Sequence, residues 1–464
     1  MHFYNSLTRR SEEFKPLEDK KVSLYVCGLT PYDHAHLGHA RTYVAFDMLK
    51  RFLLSSGYSV FHIQNVTDVD DKILRRAKES NTPPRELTER FHSEAMGLFS
   101  QLRILPADVY PKVTEHIPEI IALIQKIMEN GYAYETETGV YFEVKKFQGY
   151  GKLSGQKMDE ILAGSRKEVD ETKHSPEDFA LWKKTNGEAL EFQSPWGPGR
   201  PGWHIECSAM AGKYAKTLDI HGGARDLVFP HHENEIAQSE AAGMVPFVRH
   251  WLHTGFLTVK GEKMSKSLGN FVTLREVLSL HSPNAVRMFF ALAHYRSPID
   301  YNPIQIKQAQ ATVDGVMNFL DLVDEALAKK RKTGVEDKAL SGEVHKKFAH
   351  FHEFLGMDFD TPTALTYVFS VMKSVHIHLE GKTLDYAVLA YVKQEMEKAL
   401  YIVGIERPVK KLDEATREKV EALVKERDEA RKNKDFKTAD AIREQLRQLG
   451  VLIEDGEQTR WRPA

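Results

Sequence analysis

Two cysteines in 464 residues each stand in a setting that suits a thiolate better than a disulfide. Cys27 closes the apolar run Val22-Ser23-Leu24-Tyr25-Val26, just ahead of His34-Ala35-His36-Leu37-Gly38-His39, and Cys207 follows Gly202-Trp203-His204-Ile205-Glu206. Further along stands Phe229-Pro230-His231-His232-Glu233-Asn234-Glu235. With Pro230 at a first helical position, where proline is common, His231 and Glu235 lie four apart and share a face. Two sulfurs, one imidazole and one carboxylate make a four-ligand zinc set. Taken alone, two free cysteines are more often small buried apolar side chains. Spacing also leaves His232, three residues from Glu235, as a rival ligand.

Two further motifs suit phosphate chemistry. His36-Leu37-Gly38-His39 falls between a strand-like and a helical stretch, where a helix start and its backbone N–H groups favour an anion. A glycine there lets a nucleotide approach the backbone, and the imidazoles can hydrogen-bond phosphate oxygens as charge develops during attack on phosphorus. Lys263-Met264-Ser265-Lys266-Ser267-Leu268-Gly269-Asn270 offers two lysines and two serines on a loop able to close over a triphosphate. Each string is weak by itself, because capping histidines and solvated basic turns produce the same letters.

The elements that must position these groups are legible in the periodicity. Residues 22–27 read as a strand, 38–55 as a helix (Tyr43, Phe46, Leu49, Phe52, Leu53) and 58–63 as a strand, a βαβ unit that predicts a parallel, doubly wound sheet. Strand and helix signals resume near Leu218-Asp219-Ile220, with His221-Gly222-Gly223 after them. Residues from about 112 to 200 contain a helix and the strand-like Gly139–Val144, and read as an insertion between two halves of one nucleotide-binding domain. From about Ile306 long helical patterns predict a bundle. From about residue 409 two strongly charged helices meet near Asn433-Lys434-Asp435, and Thr459-Arg460-Trp461-Arg462 stands near the end. The expected division is 1–305, 306–408 and 409–464.

Composition narrows the classes. Hydrophobic residues at 42% and charged residues at 28% fit a globular protein that folds without disulfides. With 64 basic against 66 acidic residues the net charge is -2, so any surface for a polyanion must be a local patch. No apolar run approaches the roughly 18 residues of a membrane span, and the N-terminal residues read as neither signal nor transit peptide; a cytoplasmic location is expected.

The histidine tetrapeptide and the lysine-serine loop, in that order after a βαβ unit, resemble the paired signatures of class I aminoacyl-tRNA synthetases. Cys27-Gly28, Tyr32-Asp33-His34-Ala35-His36, Asn65-Val66-Thr67-Asp68, the stretch from Ser194 to Cys207 and Phe229–Glu235 are similar to cysteinyl-tRNA synthetase, through most of the catalytic half and into the C-terminal module. The resemblance implies a Rossmann-like doubly wound α/β catalytic domain with an insertion, an α-helical bundle and a small C-terminal anticodon-binding module. It implies one zinc ion on Cys27, Cys207, His231 and Glu235, the choice of His231 over His232 resting on the resemblance. Leu29, Pro31 and Ala224 depart from the family pattern, which has Pro, an apolar residue and Gly there.

The activity implied is joining L-cysteine to tRNA(Cys) through cysteinyl-adenylate, by a monomer. His36, Gly38, His39, Lys266, Gly222 and Asp226 would bind ATP, Mg²⁺ accompanying it. His36, His39, Lys263 and Lys266 would act in catalysis, and Thr67, Trp203 and Cys27 would meet the cysteine. Serine differs from cysteine by one atom, and an apolar pocket separates such near-isosteres by only about 10- to 200-fold. On the resemblance, a zinc-sulfur bond would supply the rest, and no editing domain would be required. The C-terminal helices present Arg427, Arg431, Lys432, Lys434, Lys437, Arg443 and Arg447, with Trp461 able to stack on an unpaired base; Arg431, Lys434, Lys437, Arg443 and Trp461 are the expected RNA contacts. A ligase joining cysteine to a small-molecule amine would lack this terminal module. A non-enzymatic RNA-binding descendant would not need intact His36, His39, Lys263 and Lys266.

Overall fold

A computed structural model describes residues 1–156, 171–264, 270–328, 338–380, 386–407, 413–454 and 459–463. The chain forms two compact units, Met1–Val316 with Arg331–Ile405, and Met317–Lys330 with Glu406–Ala464.

In the first unit an antiparallel hairpin, β1 (His2–Asn5) and β2 (Arg10–Glu13), precedes β3 (Lys21–Leu29), α1 (Leu37–Ser55), β4 (Ser59–Val66), α2 (Asp71–Ser80) and α3 (Pro84–Gln101). The insertion holds α4 (Ile117–Glu129) and an antiparallel sheet of β5 (Ala133–Glu135), β6 (Gly139–Phe142), β7 (Phe179–Lys184) and β8 (Gly199–Pro201). Its core of Ile120, Ile124, Phe142, Leu181 and Trp182 is sealed. The chain then returns through α5 (Trp203–Tyr214), β9 (Leu218–Ala224), α6 (Glu233–Ala241) and β10 (Val248–Thr254).

The central sheet runs β10-β9-β3-β4 with every pair parallel. The register sets Leu24 beside Ile220 and His62, and Tyr25 beside His221 and Ile63. Leu24, Tyr25 and Val26 are consecutive and all buried, the sign of a strand covered on both faces, and this is why residues 22–27 lack an apolar-polar alternation. Cys27 therefore emerges near the C-terminal end of a central strand, where doubly wound sheets place ligands.

Beyond the sheet come β11 (Leu257–Val259), β12 (Glu262–Lys263), α7 (Leu274–Leu280), α8 (Pro283–Ala291) and β13 (Ile299–Tyr301), followed by α9 (Pro303–Ala328), α10 (Lys338–Leu355), α11 (Thr361–Glu380) and α12 (Tyr386–Val403). A buried ionic knot pins α1. Asp47 accepts from Arg51 Nε at 2.9 Å and from Arg287 Nη2 at 2.5 Å, while Arg287 also donates to the carbonyls of Leu102 and Val403. A Cβ at Gly404, where φ is +71°, would fall 2.1 Å from that guanidinium, so only glycine fits.

The second unit contains α13 (Glu414–Lys432), α14 (Phe436–Gln448) and a hairpin of β14 (Val451–Glu454) and β15 (Arg460–Pro463). Asp413 and Asp435 cap the two helices through the N–H groups of Thr416 and Thr438. Val420 and Val424 face Ile442 and Leu446, two i,i+4 pairs that form the small core with Val451. The basic face is narrower than the sequence predicts, because Arg427 is buried and donates to Thr459 Oγ1 at 2.8 Å.

Candidate active site

Cys27 reaches the site from β3, Cys207 from the second turn of α5, and His231 and Glu235 from the segment after β9. Their donor atoms lie within 4.8 Å of one another and all four residues are buried. Pro230 does not open the helix as the sequence predicts. It ends a cis peptide inside a wide turn, and α6 starts at Glu233. The backbone is already helical at His232, so His231 Nε2 still meets Glu235 Oε1 at 3.0 Å.

A second set, Cys27, His221, His232 and Glu235, satisfies the same geometric limit. The two sets differ in chemistry. The first uses both sulfurs, the softer ligands that zinc favours. In the second, His221 and His232 already have other work: His221 Nε2 contacts Glu235 Oε2 at 2.9 Å, and His232 joins Cys27 Sγ (3.3 Å) to His253 (2.8 Å), which in turn meets Ser6 Oγ at 2.8 Å. His204, three residues before Cys207 on α5, places its Nδ1 2.9 Å from His231 Nδ1. Such partners orient ligands from behind. The sequence reading missed His204, His221 and His253 in this role; the i,i+3 spacing of His204 and Cys207 was the one local signal.

The charges explain why this floor wants a cation. Burial raises the Cys27 thiol, while the hydrogen bond from Cys27 lowers Cys207 to about 6. Burial works against ionisation of Glu235, but His221 and His231 outweigh it and lower the carboxyl to about 2. Burial likewise opposes a charged His231, yet Glu235 and Cys207 prevail and raise it to about 10. A sealed anionic pair is costly without a compensating positive charge, and two thiols, an imidazole and a carboxylate within 4.8 Å of one another are donor types that zinc takes. The donor set fits zinc on that ground.

Above the floor, α1 starts with a reciprocal cap. His39 N–H donates to His36 Nδ1 and His36 N–H donates to His39 Nδ1, both at 3.3 Å, and the rings stack at 3.5 Å. Since each Nδ1 accepts, each ring carries its proton on Nε2. Burial lowers His36 to about 4 and His39 well below its usual value, so both are neutral donors near pH 7. The segment after the lysine-serine loop is stitched to them: Leu37 N–H donates to Val272 O, Leu274 N–H donates to Ala35 O, and Phe271 meets the His36 ring edge-on.

A cleft of about 620 Å³ joins floor and rim, lined among others by Cys27, Gly28, His36, Gly38, His39, Trp203 and Asp226. Trp203 stacks on His231 at 4.2 Å. Met264 lies at the cleft, and Lys263 pairs through its backbone with Thr258; Lys266 falls outside the described residues. Two expected contacts lie elsewhere. Thr67 is buried, accepting from Asn65 Nδ2, and Gly222 is packed beneath Phe46 of α1, where a Cβ would meet the ring at 2.2 Å. Gly28 does need to be glycine, since a Cβ would sit 1.5 Å from Asn65 O. Ala224 has φ -77°, which alanine adopts freely, and Leu29 continues β3 opposite Val66, so these departures leave the strand ends intact. In the C-terminal unit Lys434, Lys437 and Arg443 are exposed, Arg431 is half-buried, and Trp461 packs partly on the small core.

The sequence profile of the class I (C) tRNA synthetase catalytic domain matches residues 13–311. The chain also superposes on Mycobacterium tuberculosis methionyl-tRNA synthetase in complex with methionyl-adenylate, with a TM-score of 0.63 and 17% identity, covering 83% of this chain and 89% of that one. The fold is that of a class I aminoacyl-tRNA synthetase. Residues 413–462 match the cysteinyl-tRNA ligase anticodon binding domain. The cysteine-tRNA ligases of Thermococcus onnurineus (47% identity, 99% of this chain and 98% of the relative) and Pyrococcus horikoshii (46%, 100% and 99%) align end to end. The chain belongs to the cysteinyl-tRNA synthetase family.

Proposed function

We propose that the chain activates L-cysteine with ATP in the cleft and passes it to the 3′-terminal adenosine of tRNA(Cys), with Cys27, Cys207, His231 and Glu235 holding one zinc ion. The observation that carries this reading is the convergence of two thiols, an imidazole and a carboxylate at the floor of a cleft rimmed by His36 and His39. Zinc held by these four residues would prefer sulfur to oxygen and would keep a thiol it meets deprotonated at neutral pH.

The side chains of the protein do the rest. Trp203 walls the sulfur end of the cleft. His36 and His39, neutral with Nε2–H free of the capping bonds, donate to α-phosphate oxygens as the cysteine carboxylate attacks, and need no change of protonation to do so. Lys263 and Lys266 neutralise the departing pyrophosphate, Mg²⁺ accompanying the nucleotide. Asp226 faces the nucleotide end of the same cleft. Thr67 acts from behind, holding Asn65, whose Oδ1 accepts from Gly28 N–H at 2.8 Å. Gly222 serves ATP indirectly, letting α1 sit close on β9.

Residues 1–305 form the catalytic domain, 306–408 the helical bundle and 409–464 the anticodon module, in which Arg431, Lys434, Lys437 and Arg443 contact RNA. Trp461 takes part through its exposed edge. The enzyme works as a cytoplasmic monomer; among the described residues no helix is long and apolar enough to cross a membrane. Cysteine-dependent ATP-pyrophosphate exchange without RNA tests activation, and charging of tRNA(Cys) tests transfer. Exchange with metal-free protein at the full rate would sink the zinc assignment. Exchange without charging would favour a small-molecule ligase.

A further inference from the structure

Attack on the α-phosphorus needs two parts of the chain at a set separation: the histidines at the start of α1, and the lysine-serine loop, which leaves β12 at Lys263. The far side of that loop is stitched to α1 through Val272 and Leu274. Its near side hangs from a different support. β12 pairs with β11, and β11 runs parallel to β13, with Leu257 beside Ile299 and Val259 beside Tyr301.

Residues 294–297, just ahead of β13, join this support to α1. Tyr295 O accepts from Gly255 N–H at 2.8 Å, on the cleft wall, and from Arg41 Nη2 at 3.2 Å. Arg41 stands two residues after His39 and is buried; its guanidinium also donates to the carbonyls of Phe290 at 3.2 Å and His294 at 2.8 Å. Gly255 packs so tightly that a Cβ there would fall 2.2 Å from Ser297 O. One carbonyl is thus shared by the helix that bears the histidines and the strand that leads to the lysines.

Asp358, between α10 and α11, grips the same residues from behind. Its Oδ1 accepts from Tyr295 Oη and from Tyr4 N–H, both at 2.8 Å, and its Oδ2 accepts from Arg296 Nε at 2.6 Å, with His294 Nε2 3.6 Å away. The backbone that presents this carboxylate is strained: Asp358 and Phe359 are consecutive non-glycine residues with φ of +57° and +52°. Such a corner persists only where its surroundings over-determine it. Asp358 N–H donates to His2 O at 2.8 Å, and Phe359 is buried against Phe52 of α1 with ring centroids 5.6 Å apart.

We propose that Arg41 and Asp358 are positioning residues for adenylate formation: they hold residues 294–297 so that the base of the lysine-serine loop, Glu262–Lys263, stands at a set place against His36 and His39. This deepens the reading of the chain as a cysteine-activating enzyme and rests on it. Both residues act through the backbone they hold and neither meets ATP. The cysteine end is built on β3, α5 and the segment after β9, so a fault at residues 294–297 falls on the nucleotide and spares the zinc-type floor.

The test measures cysteine-dependent pyrophosphate exchange, zinc content and denaturant midpoint for the full-length protein and its variants. In Asp358→Asn an amide N–H₂ faces Arg296, and kcat should fall about 10- to 100-fold with a raised KM for ATP, because about 1 Å of misplacement costs that much. The KM for cysteine and the zinc content should not move. Arg41→Lys, which keeps the charge but loses the fork across several carbonyls, should show the same split. Tyr295→Phe, which removes only the hydroxyl donated to Asp358, should show a smaller shift of the same kind and decides the matter if the other variants fold poorly. Asp219→Asn is the stability control, because Asp219 accepts from Leu17 and Ser23 N–H at the start of β9; it should lower the midpoint without the ATP-selective change. Parallel rises in both KM values, unaltered exchange in folded variants, or the same kinetic change in Asp219→Asn overturn the proposal. Absence of exchange in the unsubstituted protein would instead defeat the underlying reading.

Discussion

The metal-type floor and the C-terminal helical hairpin hold polar residues in opposite ways. At the floor, Cys27, Cys207, His231 and Glu235 come from segments far apart in sequence, are sealed from water, and each answers to a named partner. In the hairpin, Lys434 in the turn and Lys437 and Arg443 on α14 are surface groups, and the helices are made by local capping and i,i+4 apolar pairs. A buried polar group must be satisfied, so its geometry specifies a chemistry. A solvated lysine need not be, so its position specifies only a surface. One residue crosses the line: Arg427 belongs to the hairpin but is buried on Thr459, and behaves as structure rather than as a contact for RNA.

Substitutions can break or sharpen this contrast. Cys207→Ser should remove zinc and raise the cysteine requirement by about 10²- to 10³-fold while moving the ATP requirement little; equal changes in both KM values, with metal content by elemental analysis, would show that floor and rim are not separate devices. Next in size is His204→Phe, which takes away the partner of His231 Nδ1. Metal affinity should fall about 10- to 100-fold in a chelator competition, and an unchanged affinity would mean that His204 only fills space.

A pH test isolates burial from ligation. His62, away from the metal-type floor in β4, is pushed down to about 3, first by burial and then by Lys50. The unfolded chain takes up this proton below about 6.5 and the folded one resists it, so stability falls as pH drops from about 6.5 towards 3 and the loss then levels off. The slope contributed is about 1.4 kcal/mol per pH unit. His62→Leu should flatten denaturant midpoints measured between pH 6.5 and 4.5; a curve parallel to that of the unsubstituted protein would assign the acid sensitivity elsewhere. The smallest effect belongs to the hairpin: Lys437→Ala should weaken RNA binding only severalfold, with a shallower salt dependence, and leave pyrophosphate exchange alone. A change in exchange would show that this surface does more than bind.

Much of the catalytic fold was readable because α1, β3 and β4 carry strong periodic signals, and because glycine beside paired histidines marks a strand-to-helix turn. The histidine pair could be seen, but its reciprocal cap could not, and that cap is what assigns the Nε2 protons. Thr67 and Gly222 read as contacts for substrate because threonine and glycine near strand ends are common there; packing turned both inward, against Asn65 and Phe46. His204, His221 and His253 gave almost no local sign, since a lone histidine in a helix or strand has the same letter whether it packs, caps or orients a ligand.

The amino-acid sequence by itself determined the kinds of chemistry available here, and the local elements that carry them: two thiols without a disulfide partner nearby in sequence, two phosphate motifs and a charged terminal hairpin, because residue type and short-range periodicity act within a few turns of chain. Which imidazole faces the sulfurs, which carboxylates meet cations from distant strands, as Asp71 meets Lys183 and Arg200, and which basic side chains remain in water were decided only by the tertiary structure. Those outcomes depend on burial and on partners from distant segments, and no spacing along the chain encodes them.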